Sequence, residues 1–205
     1  MILRTDPAWH NARLGCLTAS RMCDAMDFQK KSGKPGAARE RLLRDIVAER
    51  LTNIIVPHYV NSAMQWGLDH QSQAISEYEI ETGNIAGPEG FMLHPCIESF
   101  GATPDGFVDG TGVLEVKCPT TQTFIEWVMS GEVPFEHHAQ MAAQLLCSER
   151  KWADFFAFDP RMPYGKRCFY RRFAPTEEYL DAVKEAAIKF LEEADNVFER
   201  ISSLK

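Results

Sequence analysis

The stretch from Pro104 to Lys117 admits few folds. Asp109-Gly110-Thr111-Gly112 has the composition of a tight hairpin turn, and it leads into Val113-Leu114-Glu115-Val116-Lys117. Successive side chains on a strand point to opposite faces, so Glu115 and Lys117 share a face and Val116 takes the other. With an odd loop length, or with a bulge absorbing one residue, Asp105 faces Glu115 across the pair. A Glu-x-Lys on an exposed strand is ordinary surface chemistry. Here Val113, Leu114 and Val116 predict a partly buried strand, and such a strand seldom carries Glu and Lys without a use. Asp105 and Glu115 offer hard oxygen ligands suited to Mg²⁺. Lys117 beside them orients or deprotonates a water, or offsets charge in a transition state. From these residues alone the expected chemistry is metal-dependent phosphodiester hydrolysis.

The rest of the pattern predicts an α/β fold, a central mixed β-sheet flanked by helices. Ser20 is placed to cap a short helix. Residues 29–36 form a polar, basic loop expected to be mobile, and 37–51 have helical composition. A long helix spans 61–81 and stops at Gly83. Strands are predicted over 91–100, 102–108, 113–117, 152–158 and 167–173, with a helix over 135–147. The helix at 135–147 puts Gln140 and Gln144 on one face, four residues apart. A closing helix from about Thr176 carries Leu180, Val183, Ala187, Phe190, Ala194, Val197 and Ile201 as its apolar stripe. One domain over 1–205 is expected, with its core at about 61–173, an N-terminal helical part at 1–60 and the terminal helix at about 176–201.

Charge bears on the partner. The net charge is −7, which argues mildly against nucleic acid, but residues 30–50 hold seven basic and three acidic side chains while 176–205 hold eight acidic and four basic ones. That asymmetry permits a basic face and an acidic back. The six cysteines show no Cys-x-x-Cys pairing and are expected to be reduced thiols. The spacing of His94, Cys96 and Cys118 fits no zinc pattern. No apolar stretch reaches leader or membrane-spanning length, which predicts a cytoplasmic protein with no membrane partner.

Several pieces in order now carry a resemblance. Trp9-His10-Asn11-Ala12-Arg13-Leu14-Gly15 with Thr18-Ala19-Ser20, then Trp66-Gly67, Thr103-Pro104-Asp105-Gly106, Leu114-Glu115-Val116-Lys117-Cys118-Pro119 and Ala139-Gln140 resemble the phage lambda exonuclease family. These are viral-type alkaline exonucleases, or YqaJ-like recombinases, of the PD-(D/E)xK nuclease superfamily. Asp159-Pro160-Arg161-Met162 is similar to a further stretch of that enzyme.

The resemblance implies a restriction-endonuclease-like core and a Mg²⁺-dependent 5′-to-3′ exonuclease. Such an enzyme degrades one strand of linear duplex DNA to mononucleotides and leaves 3′ overhangs for strand annealing. It implies Asp105, Glu115 and the Val116 carbonyl as metal ligands for one or two Mg²⁺ ions, with Mn²⁺ able to substitute. Lys117 and Gln140 stand beside them, and Thr103 and His137 lie near the DNA. Arg13 and Ser20 match the family's 5′-phosphate pocket, with Lys30 or Lys31 near its second arginine. Arginine suits a phosphate because its planar fork grips two oxygens at once. The family's partners are double-stranded DNA ends, two further copies in a ring-shaped homotrimer and a single-strand annealing protein, in a bacterial host of a phage or prophage. One position departs from the pattern. Where the family has an acid four residues after Trp-Gly, this chain has Gln71, which keeps an acceptor oxygen but loses the charge. Two competing readings follow, another endonuclease of the superfamily and a catalytically impaired DNA-end-binding protein.

Overall fold

The computed structural model describes residues 1–57 and 61–204. The chain opens with a short strand, β1 (Ile2–Leu3), a single helical turn, α1 (Trp9–Ala12), and a second short strand, β2 (Leu17–Thr18). A 3-10 turn over Ala19–Arg21 runs into α2 (Met22–Ala25). Ser20 does not cap it: Thr18 holds the cap position without a side-chain cap bond, and the Ser20 and Thr18 hydroxyls lie 3.3 Å apart. The loop that follows is polar and basic as expected, but it is closed on itself. Phe28 bridges Pro35, and the Gln29 amide donates to the Lys34 carbonyl at 2.9 Å.

Two long helices come next. α3 (Ala37–Thr52) ends on Asn53 in the left-handed region, and α4 (Ser62–Thr82) is bounded by two local signals. The Asn61 side chain accepts from the Met64 amide at 2.8 Å, and Gly83 at φ 72° closes the C-terminus. Strands β3 (Gly90–Leu93), β4 (Phe100–Ala102), β5 (Gly106–Val108) and β6 (Gly112–Lys117) follow. The predicted single strand over 91–100 is therefore broken. The chain reverses after Leu93, His94 Nδ1 accepts the amides of Cys96 and Ile97, and Ser99 adopts φ 58° before β4 begins. Helix α5 (Thr121–Ser130), a 3-10 turn over Phe135–His137 and α6 (His138–Ser148) cross over to β7 (Trp152–Phe158) and β8 (Cys168–Phe173). Helix α7 (Glu177–Ser202) closes the chain, capped by Thr176, with Glu177 and Glu178 in the first turn where the helix dipole favours acids.

The strands form two four-stranded mixed sheets, ordered β1-β3-β4-β2 and β5-β6-β7-β8. The second is the expected central sheet. It pairs β6 in parallel with β7 and antiparallel with β5. Side-chain alternation divides it cleanly. Leu114, Val116, Cys118, Phe156 and Phe158 pack with Ala74 and Tyr78 of α4, while Val113, Ala153, Phe155 and Ala157 pack toward α6 and α7. Glu115 and Lys117 alternate onto the α6 face. Buried Asp154 of β7 is satisfied by the Tyr78 and Tyr170 hydroxyls and by Arg172. Helix α7 is held to α3 by Arg39–Glu193 at 2.6 Å and by an Arg50–Asp195 pair. No helix among the described residues is long and apolar enough to cross a membrane.

Candidate active site

Strand pairing decides the geometry of the site. Gly106 pairs with Leu114, Phe107 with Val113 and Val108 with Gly112, which leaves a three-residue loop of 109–111. The odd count, one of the two alternatives left open by the sequence, places Asp105 across from Glu115 without a bulge. Asp109 at φ 46° and Gly110 at φ 68° carry the left-handed conformations that the reversal needs. Asp105 Oδ2 then accepts the Val116 amide at 2.8 Å, and the Asp105 amide donates to the Leu114 carbonyl at 3.0 Å.

Glu115 is 2% exposed and surrounded by donors. Lys117 Nζ and Gln140 Nε2, the latter at 2.6 Å, both reach Oε1, and Gln144 Nε2 donates to Oε2. Burial, together with the Glu115 carboxylate beside it, pushes the Asp105 carboxyl well above the usual carboxylate range, against the pull of Lys117 and the Val116 amide. Burial draws the Lys117 ammonium down, but Glu115 and Asp105 outweigh it and hold it above its ordinary value. With both acids ionised, two carboxylates beside one ammonium would leave an excess of negative charge; the raised Asp105 pKa reflects that cost, and a divalent cation relieves it.

Gln71 reaches this group from α4. Its Nε2 donates to Asp105 Oδ1 at 2.9 Å and lies 3.4 Å from Glu89 Oε2. Its Oε1 accepts from Arg4 Nη1 at 3.2 Å, and Arg4 also pairs with Glu89 at 2.9 Å. The partners fix the amide's orientation, since the guanidinium only donates and the carboxylates only accept. Asp69, by contrast, is exposed and takes its hydrogen bond from Gln65.

These groups line a cleft of about 490 Å³. Asp105, Glu115, Val116, Lys117, Gln71, Gln140 and Thr103 line one part of it, and Arg13, Ser20 and Arg4 are also among its lining residues. Arg13 stacks 4.1 Å from the centre of the Trp9 ring, and its Nε is buried with no partner among the described residues. Burial, then the charge of Arg4, lowers its proton affinity. Among the described residues it makes no ion pair, so a half-buried cation stands ready for an anion. Thr103 Oγ1 is likewise buried without a partner.

Three expected residues stay outside. Lys30 and Lys31 lie exposed on the closed loop between Phe28 and Pro35 and are absent from the cleft lining. His137 is part-buried and absent from the cleft lining. Its ring packs edge-on against Trp127 and stacked against Phe155, both at 5.4 Å, and burial brings its pKa down to about 3. Conversely, Arg4, Glu89 and Trp127 carry no motif that marks them. Gln144 is visible only as a helix-face neighbour of Gln140.

Two further motif pieces meet behind the cleft. Asp159 is fully buried, accepts from Thr121 at 2.7 Å and holds Arg161 at 2.7 Å. Arg161 in turn donates to the Pro119 carbonyl at 2.7 Å and lies 4.4 Å from the Trp66 ring. This clasp ties α4 to the chain leaving β6, the two segments that carry Gln71 and Lys117.

The fold is that of the alkaline exonucleases. The structure matches the alkaline exonuclease LHK-Exo of Laribacter hongkongensis at TM-score 0.87 and 35% identity, over 96% of each chain. The same enzyme in complex with dAMP matches equally. A phage-related exonuclease from Haemophilus somnus 129PT shares the fold at TM-score 0.68 and 15% identity, over 91% of this chain and 96% of the other. Residues 8–151 match the model of the YqaJ-like viral recombinase domain, and the chain belongs to that family. No curated protein sequence matches it.

Proposed function

We propose that this nuclease is a Mg²⁺-dependent 5′-to-3′ exonuclease that converts one strand of a linear duplex into mononucleotides and leaves a 3′ overhang. The observation that carries the reading is one cleft holding Asp105, Glu115 and Lys117 together with an unpaired arginine. Asp105, Glu115 and the Val116 carbonyl are the residues that would hold the cation. Among the described residues no third His, Cys, Asp or Glu joins them, so water and substrate oxygens would complete the shell. When bound, Mg²⁺ would polarise the scissile phosphate and lower the pKa of an attacking water.

The chain's own groups supply the rest. Lys117, held protonated in the cation-free cleft, supplies positive charge near the reacting phosphate, and Gln140 fixes it against Glu115. Arg13 and Ser20 hold the 5′-terminal phosphate. Anchoring that end sets the polarity, because the strand then enters the acidic part of the cleft in one direction. A relative solved with dAMP supports a nucleotide-sized product. We extend the reading to a homotrimer around DNA and to an annealing protein that takes up the overhang.

A time course on end-labelled linear duplex and covalently closed circle, with and without Mg²⁺, tests it. Mononucleotide release from the linear 5′ end alone, only with Mg²⁺, is expected. Cleavage of the closed circle would make the protein an endonuclease. End binding without release would make it an impaired end-binding protein.

A further inference from the structure

Gln144 is fully buried, yet only half of its amide is used. Nε2 donates to Glu115 Oε2, whereas Oε1 is buried with no partner among the described residues. A buried polar atom without a partner is costly and needs a reason. Turning the amide over would set Oε1 against the carboxylate, acceptor against acceptor, so the orientation is fixed. Space-filling does not account for it either, since leucine or methionine would fill the same volume beside Leu145 and Met141 without an orphan oxygen.

The neighbouring glutamine shows the difference. Gln140, one turn earlier on α6, uses both ends of its amide within the protein: Nε2 on Glu115 Oε1, and Oε1 for Lys117 Nζ at 3.4 Å. Glu115 therefore receives one amide on each oxygen. Of the two glutamines, Gln144, which also lines the cleft, is the one that keeps an acceptor to spare among the described residues. The donor that fits is a water on a divalent cation. Its lone pair faces the metal, and its hydrogens, made acidic by the charge, face outward.

Resting on the cation site proposed above, we propose that Gln144 is a positioning residue for that site. Its nitrogen orients Glu115, and its oxygen accepts a hydrogen bond from a cation-bound water. Groups of this kind beyond the direct ligands typically change metal affinity by about 10- to 100-fold.

The test is calorimetric titration of the DNA-free protein with Mn²⁺, with melting temperatures measured alongside. Gln144→Leu and Gln144→Met should each weaken Mn²⁺ binding by about tenfold or more. The cation-free melting temperature should change little, because relief of the orphan oxygen offsets the donor lost from Glu115 Oε2. Unchanged Mn²⁺ affinity in both variants would overturn the proposal, and so would a fall in melting temperature that accounts for the lost binding. Asp105→Asn separates the two layers of argument. If it binds Mn²⁺ as the parent does, the cation site itself is misplaced and the role of Gln144 falls with it.

Discussion

Gln71 turns its amide nitrogen toward Asp105, 2.9 Å from Oδ1, while Arg4 occupies its oxygen. At this position the chain supplies a hydrogen-bond donor where a carboxylate ligand would supply an acceptor. Gln71→Glu removes that donor and sets a third acid between Asp105 and Glu89, beside Arg4. The variant should melt lower than the parent without Mg²⁺ and gain more from added Mg²⁺. Its cleavage at low Mg²⁺ should rise by roughly tenfold, about 1.4 kcal/mol. Superimposable melting and rate curves for both forms would remove Gln71 from the site.

Asp105→Ala and Glu115→Ala should each abolish nucleotide release while duplex binding persists, since affinity comes mostly from phosphate contacts. Lys117→Ala should slow turnover by roughly 10²-fold or more. Single-turnover release beside gel-shift binding separates the two effects, and wild-type turnover in either carboxylate variant would contradict the assignment.

Arg13 lies half-buried against Trp9, without an ion-pair partner among the described residues. Duplexes with a 5′-phosphate should be degraded faster than 5′-hydroxyl duplexes, and Arg13→Ala should shrink that ratio. Equal initial rates on both ends in the parent enzyme would count against the pocket.

His137 offers a test by pH. Its folded value, about 3, lies below the ordinary 6.5 because burial disfavours the charged ring. Between these values the unfolded chain binds the additional proton, so the contribution is full above pH 6.5 and declines as pH falls toward 3. His137→Phe should flatten the acid limb of the stability curve by up to about 3 kcal/mol at pH 4. Urea melts of the two proteins at pH 7 and pH 4 give the comparison, and parallel losses of stability would refute it.

A chain of net charge −7 repels DNA unless its basic groups are gathered on an enclosed surface. Sedimentation at micromolar concentration should show a homotrimer. A lone monomer boundary would rule that assembly out.

Local signals marked much of this molecule. Asn61 and Gly83 bracket α4, Thr176 opens α7, and the apolar, aromatic run Trp152–Phe158 gives β7 its observed limits. The turn composition near 109–112 marked the hairpin, but its loop length, and so which acids face each other, came only with the pairing of Val108 and Gly112. Signals that depend on distant partners were not legible. Arg4 meets Glu89 across 85 positions, and no spacing rule links them. The break after Leu93 hid because apolar residues on both sides of His94-Pro95 extend one strand pattern. Helix α5, with Thr120 and Gly131 as its caps, was passed over between two motifs. His137 looked like a polar residue beside a functional glutamine, but its three aromatic and cationic neighbours, Trp127, Phe155 and Lys117, come together only in the folded chain.

The parallel pairing of β6 with β7 carries a consequence for synthesis. Glu115 and Lys117 leave the ribosome early, but β6 has only the β5 hairpin to pair with until residues 152–158 follow. Gln140 and Gln144, which steady Glu115, also come later, on the crossover between those strands. A partly made chain thus carries the acids and the lysine without the cleft that organises them. The acids are made before the segments that orient them.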